Sequence, residues 1–444
     1  MPVTTGRLAL AAADALAQRF GLLDRPFSPD ALIDAACRRT GLADFGPTSI
    51  AEPLRRFLDA CCNEASLGVL GRIATRWDVL RFLTNLLRLA AAERQDEGIL
   101  HEAIERPIII TGLPRSGTTF LHQLLLCDRA NRGPLVWETI YPYRDARGRG
   151  TADHRRTQVE RQLRTFTRYA PELPALHPLR ADSPQECTEI TAHAFRSLRF
   201  DTTYRIPSYR TWLETDAEGH VPAYHVHKRF LQHLQHQEGA GPKPRRWVLK
   251  CPDHLFALEA IRIVYPDARL VFVHRDPLKV LLSVAKLTEV LRRPFSRQVD
   301  PMEIGRQESA RWVDGARRMM EESAHVQGAS PVCHVHYLDL VSDPLATVAA
   351  VYRHFAITFS EQAAATVARR AAELPSGGYP PHRYRFEEHG LDAEAEREKF
   401  RPYMLHFGIA PGTETGRQAA LRNVRLMRQA PVAGCSPSAS GSIP

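Results

Sequence analysis

Absences narrow the possibilities first. The chain has no C-x-x-C pair; its eight cysteines, at 37, 61, 62, 127, 187, 251, 333 and 435, are scattered. Such scatter in a long chain argues against a disulfide framework or a zinc site and fits a reducing cytoplasm. No run of eighteen apolar residues occurs, and Arg7 and Asp14 interrupt the alanine-rich start. The expectation is a cytoplasmic protein, neither secreted by a standard signal nor membrane-spanning. There is no zinc finger, no recognition-helix signature and no basic patch interleaved with aromatics, so no nucleic-acid partner is expected. Nor is there an internal repeat.

What is present is the composition of a globular protein, 44% hydrophobic and 25% charged. At 444 residues the chain is long enough for one large α/β domain with additions, or for two domains. The net charge of +9, from 59 basic and 50 acidic residues, suits either a surface rich in arginine or a polyanionic ligand.

Residues 1–104 read as a helical extension. Between Trp77 and Ala92, Val79, Leu83, Leu86 and Ala90 recur near one face at helical spacing, and Leu80, Leu87 and Leu89 widen it, which suggests a core-packing helix. From 105 to 411 the pattern is α/β. Ile108, Ile109 and Ile110 form a short β-branched run, Gly112 to Gly117 a turn, and Thr118 to Cys127 a helix. Further strands are expected at Trp247–Leu249, ending in Lys250, at Leu270–Val273, ending in His274-Arg275, and at Val332–Tyr337. Helices follow them at about Leu255–Tyr265, after Asp276-Pro277, and at Pro344–Phe355; Asp before Pro is a good helix start. Alternating strands and helices imply a parallel sheet flanked by helices. Residues 151–244 read as a mostly helical insertion, placed where an acceptor site is often found. Residues 412–444 form a tail, basic at first and then rich in Ser, Gly and Pro, with disorder expected from about Ala430.

The segment Gly112-Leu-Pro-Arg-Ser-Gly117-Thr-Thr119 has the G-x-x-x-x-G spacing of a P-loop, with a strand before it and a helix after. The lysine that follows in ATP and GTP enzymes is replaced by Thr118. Backbone N–H groups and the helix start still favour an anion. Arg115 offers the nearest positive charge, and Ser116, Thr118 and Thr119 offer hydroxyls. A second constellation is Arg275, at a strand's carboxyl end, with Ser283 eight residues on. Open α/β sheets bind ligands at such strand ends, and arginine supplies a planar fork for phosphate. Together the two suggest two phosphate sites on one ligand.

These residues resemble the sulfotransferases that use 3′-phosphoadenosine 5′-phosphosulfate (PAPS), over roughly 105–360. Pro-Arg-Ser-Gly-Thr-Thr at 114–119 is similar to the 5′-phosphosulfate loop of the tyrosylprotein sulfotransferases and of a broad bacterial group. Ala268 to Pro277 with Ser283 resembles the 3′-phosphate element, Val248-Leu-Lys250-Cys-Pro the segment with a catalytic lysine, and Tyr337 to Pro344 a strand-to-helix step. His382-Arg-Tyr384 and Phe386 to Leu391 are similar to the C-terminal segment of the bacterial group. In two respects the chain departs from the cytosolic enzymes: they carry lysine where Arg115 stands, and they have a C-terminal glycine-rich clamp that is not found here.

The resemblance implies a P-loop-like fold and in-line sulfuryl transfer from PAPS, without a required metal, to a hydroxyl or amine of a small-molecule, sugar or lipid acceptor. It implies that Arg115 and Lys250 stabilise charge, that Arg115, Ser116, Gly117, Thr118 and Thr119 hold the 5′ side, and that Arg275 and Ser283 hold the 3′-phosphate. A base must take the acceptor's proton. By similarity of spacing Glu138 comes first and His254, four residues past Lys250, second; Glu186 and His177 are weaker candidates. The alternatives from other classes are a P-loop kinase or NTPase, which needs a lysine at 118, and a non-catalytic nucleotide-binding protein. Acceptor identity and oligomeric state are not legible.

Overall fold

The computed structural model describes residues 5–143, 154–169, 171–172, 174, 179–239, 245–324, 332–374 and 385–410. His177, Cys435, residues 382–384 and the 412–444 tail lie outside them.

Five strands form one sheet: β1 (Ile108–Gly112), β2 (Asn131–Arg132), β3 (Arg246–Lys250), β4 (Arg269–His274) and β5 (Cys333–His336), in the order β2-β3-β1-β4-β5. Every pairing is parallel. The β2 pairing, two residues long, has no sequence signal. The central strand reads as a continuous apolar run because both its faces are covered. Side chains alternate across it. Ile108 and Ile110 join Val271 and Val273 against Phe120, Leu121 and Leu124 on one face. On the other, Ile109 joins Leu249 and Phe272.

That second face carries most of the molecule. The Val69–Gln95 helix, longer than its apolar pattern suggests, buries residues on several sides. Its Phe82 packs edge-on against Phe195, 5.9 Å between centroids, and Phe57 of the Ala51–Asn63 helix lies 4.1 Å from Phe200. The N-terminal helices and the 187–236 stretch therefore share one core. Among the described residues no helix is long and apolar enough to cross a membrane.

Register places the site. Ile110 pairs with Lys250, and Gly112 with Val273. Lys250 and Arg275 are thus delivered to either side of the turn that leaves β1, at the carboxyl edge of the sheet. Asp276 caps the Pro277–Arg292 helix by accepting from the Leu278 N–H at 3.0 Å, as the Asp-Pro pair suggests. Asp343 does the same for the Pro344–His354 helix.

Candidate active site

Close backbone approach shapes the loop after β1. Gly112 has φ 146°, and a Cβ there would lie 2.4 Å from the Val273 carbonyl oxygen, so any other residue would push β1 off β4. Gly117 has φ 100°, and a Cβ would meet the Tyr337 ring at 2.8 Å. Between them Arg115 sits at φ 61°, a left-handed conformation that costs a non-glycine residue roughly 1–3 kcal/mol. Two hydrogen bonds hold it there. Arg275 Nη1 donates to the Arg115 carbonyl at 2.6 Å, and Arg115 Nε donates to Ser283 Oγ at 3.1 Å. The Arg275 guanidinium also lies over the Tyr337 ring, 4.0 Å from its centroid. The loop ends in the Thr118–Leu125 helix, whose first N–H groups are free to bind an anion. Ser116 Oγ is buried with no hydrogen-bond partner among the described residues, an arrangement that costs about 1–3 kcal/mol unless a ligand completes it. The donor set of backbone amides, hydroxyls and two arginines fits a phosphate-bearing nucleotide.

Lys250 faces this loop from β3. Its Nζ donates to Thr119 Oγ1 at 3.1 Å and to Glu186 at 2.5 Å. Its side chain is only 2% exposed, against 28% for Glu186. Glu186 is carried by a segment stitched to the sheet edge. Gln185 N–H donates to the Pro134 carbonyl at 2.8 Å, and Cys187 N–H donates to the Lys250 carbonyl at 3.2 Å. On the loop helix, burial and the Lys250 charge push His122 down to about 3, so it stays neutral and can donate through Nε2 to the Val248 carbonyl at 3.0 Å.

The other two sequence candidates have different partners. Glu138 lies in the short Val136–Ile140 helix. It accepts from the Leu135 N–H at 2.9 Å and pairs with Arg132 at 3.3 Å. Arg132 in turn pairs with Glu238 at 2.8 Å and stacks 4.1 Å from Trp247. Burial raises the Glu138 pKa. His254 is buried, its Nδ1 held by the Tyr224 hydroxyl, and its Nε2 has no partner among the described residues. Burial drives its pKa well down. A cavity of about 20 Å³, lined in part by Cys187, Thr188, Tyr224, Cys251, Asp253 and His254, has room for about one water-sized group.

The structure therefore brings Arg115, Arg275 and Ser283 into one hydrogen-bonded group, with Ser116, Gly117 and Thr118 in the loop beside it. Thr119, Lys250 and Glu186 form a second group. Tyr337, which packs beside Gly117 and under the Arg275 guanidinium, opens the helix directly after β5, and its place just past a strand end is its signal in the sequence. The Glu186–Lys250 pairing joins residues 64 positions apart, and no local pattern announces it.

Comparison with known proteins agrees with this geometry. A profile described as the sulfotransferase family matches residues 107–361. The omega-hydroxy-beta-dihydromenaquinone-9 sulfotransferases Stf3 of Mycobacterium bovis and Mycobacterium tuberculosis are 26% identical over 253 residues, 56% of this chain. The chain spans 63% of the length of these curated relatives. Among solved structures, sulfotransferase STF1 from M. tuberculosis aligns with a TM-score of 0.73 and 31% identity, over 85% of this chain and 99% of that one. STF9 from Mycobacterium avium aligns with a TM-score of 0.77 and 27% identity, over 86% and 97%.

Proposed function

The chain belongs to the sulfotransferase family, and from that premise we propose that it moves a sulfuryl group from PAPS to a hydroxyl or amine of a small-molecule, sugar or lipid acceptor. PAPS supplies the activated sulfuryl group. The loop amides with Ser116, Thr118 and Thr119 bind the 5′ side, Arg115 reaching from the loop to Ser283. Arg275, locked to the Arg115 carbonyl, orients toward the 3′-phosphate with Ser283. Lys250 meets the charge that develops on the departing phosphate oxygen, a role that a buried cation performs better than a hydrated one. The protein's work is positioning and charge stabilisation.

The observation that carries this reading is the coupling of two cationic centres to one loop: Arg275 to the Arg115 carbonyl and Lys250 to Thr119. A 3′,5′-bisphosphate needs two such anion sites; the β- and γ-phosphates of ATP need the lysine that this loop lacks. A lipid alcohol is the first acceptor to try, because the mycobacterial relative is named for a hydroxylated menaquinone.

The test is a thermal-shift titration with 3′,5′-ADP and with ATP–Mg²⁺, since a ligand of the folded state raises its apparent stability. Stabilisation by 3′,5′-ADP in EDTA is expected, followed by transfer of labelled sulfate from PAPS to a hydroxyl panel. Stabilisation by ATP–Mg²⁺ alone would replace this reading with a phosphotransferase.

A further inference from the structure

We propose that Glu186 is the base that takes the acceptor's proton. The inference rests on the sulfuryl-transfer reading and deepens it. Glu186 touches Lys250 at 2.5 Å, and Lys250 touches Thr119 in the first turn after the loop. The carboxylate is thus two contacts from the proposed phosphosulfate site. It is also the more exposed member of the pair, 28% exposed where Lys250 is closed off, so a solute can reach it. Cys187 and Cys251, which follow Glu186 and Lys250 in the chain, both line the small cavity beside His254.

The support is rigid, as a catalytic group requires. Backbone bonds from Gln185 and Cys187 fix the residue on both sides. Glu189, one helical turn on, is clamped by Arg81 at 2.5 Å and Arg199 at 2.8 Å. Lys250 is closed off from water, and desolvating a cation offsets most of its attraction to a carboxylate, so the pair is a weak stabilising device. The other two candidates are engaged differently: Glu138 caps its own helix and pairs with Arg132, and the His254 ring is held by Tyr224.

In the step, the acceptor's oxygen bonds to sulfur and its proton passes to a Glu186 carboxylate oxygen. The bond from sulfur to the 5′-phosphate oxygen breaks, and its electron pair stays on that oxygen, where Lys250 supplies positive charge. The donor is PAPS, and no oxidant or reductant is needed.

Glu186→Gln, with Glu186→Asp beside it, tests the assignment by two readouts: 3′,5′-ADP affinity, and turnover on the best acceptor found with the wild type. Removing a general base is expected to cost about 10²–10⁴-fold in kcat. Affinity for 3′,5′-ADP should stay equal or tighten, because Lys250 loses a competing anion. Glu186→Asp should recover part of the turnover. Turnover of Glu186→Gln within threefold of wild type overturns the proposal. So does a loss of turnover matched by weaker 3′,5′-ADP binding, which would make Glu186 a support of the nucleotide pocket. A wild type that ignores 3′,5′-ADP removes the donor reading and this inference together; a normal wild type with an active Glu186→Gln removes this inference alone.

Discussion

The loop side of the site and the insertion side are held in place by different means. On the loop side, Lys250 and Arg275 stand at the ends of strands flanking β1, where backbone register sets their places, and short contacts within the site hold Arg115 between them. On the insertion side, the segment carrying Glu186 depends on side chains far away in sequence. Arg81 of the Val69–Gln95 helix joins Asp78 at 2.9 Å and Glu189 at 2.5 Å, and Arg199 joins the same two carboxylates. Geometry fixed by a sheet is stiff and local. Geometry fixed by a buried ion network is conditional, because every member must be present for any to be tolerated.

The largest effect that separates the two sides is expected at Arg81. Arg81→Ala leaves Asp78 and Glu189 underpaired in the interior, at a cost of about 3–5 kcal/mol, a large fraction of the stability of a typical domain. Urea denaturation measures the loss. The folded fraction should still bind 3′,5′-ADP, because none of the loop-side contacts involves Arg81. Equal loss of nucleotide binding in that fraction would erase the distinction between the two sides.

Arg275→Ala is the counterpart on the loop side. It removes the donor to the Arg115 carbonyl and the cation over Tyr337. The expected result is about 10–100-fold weaker 3′,5′-ADP binding, in line with the loss of a charge-assisted hydrogen bond. Little change in denaturation midpoint is expected. Isothermal titration separates this from its opposite, a stability loss with unchanged affinity, which would make Arg275 a structural brace.

Acid should loosen the insertion side. His193 bridges the two parts of that side: its Nε2 lies 3.0 Å from Asn85 Nδ2, and its Nδ1 lies 3.1 Å from the Ile190 carbonyl. Nδ1 is the donor there and Nε2 the acceptor, so the ring is neutral. Burial, with Arg81 nearby, pushes its pKa down to about 3. The unfolded chain, with a histidine near 6.5, then binds a proton that the folded chain refuses. Stability falls as pH drops below about 6.5 and keeps falling toward 3, by about 1.4 kcal/mol per pH unit for this residue. Denaturation midpoints at pH 7.5 and 5.5 should show it, and His193→Asn should flatten the slope. An unchanged slope in the variant would mean that His193 does not carry the acid response, and His227, also pushed down to about 3 by burial, would be the next residue to replace.

The contrast also decides what the sequence makes legible. Strand, loop and helix around Gly112–Thr119 are contiguous, and the glycines, the strand-end arginine and the Asp-Pro cap each carry a local signal. The sheet and the loop-side residues could therefore be named from spacing and resemblance. The β2 pairing is too short to leave a pattern. Glu186 sits in Pro184-Gln-Glu186-Cys, where nothing local marks it; it acquires a partner only when β3 and the insertion fold against each other. Arg81 and Glu189 are likewise one arginine and one glutamate among many until their 108-residue separation closes.

Glu138→Gln has the smallest expected effect and most sharply divides the possible bases. Glu138 belongs to neither side of the contrast. Its carboxylate accepts the Leu135 N–H at the start of its own helix and pairs with Arg132, which Glu238 also neutralises. Glutamine keeps the shape and can still accept that N–H through its carbonyl. Only the charge facing Arg132 is lost, and burial already disfavours that charge. A stability loss of about 1 kcal/mol is therefore expected, at the low end for a cap or a charged hydrogen bond, with turnover within a few-fold of wild type. Because burial raises the pKa of this carboxyl, the wild type gains stability as pH falls and the carboxyl takes up its proton, so the variant's deficit should widen toward acid. A loss of 10²-fold or more in kcat at unchanged 3′,5′-ADP affinity would move the base from Glu186 to Glu138. Glu186 would then remain as the residue that holds Lys250 in place, and the Arg132–Glu238 pair would become the structure that tunes the base.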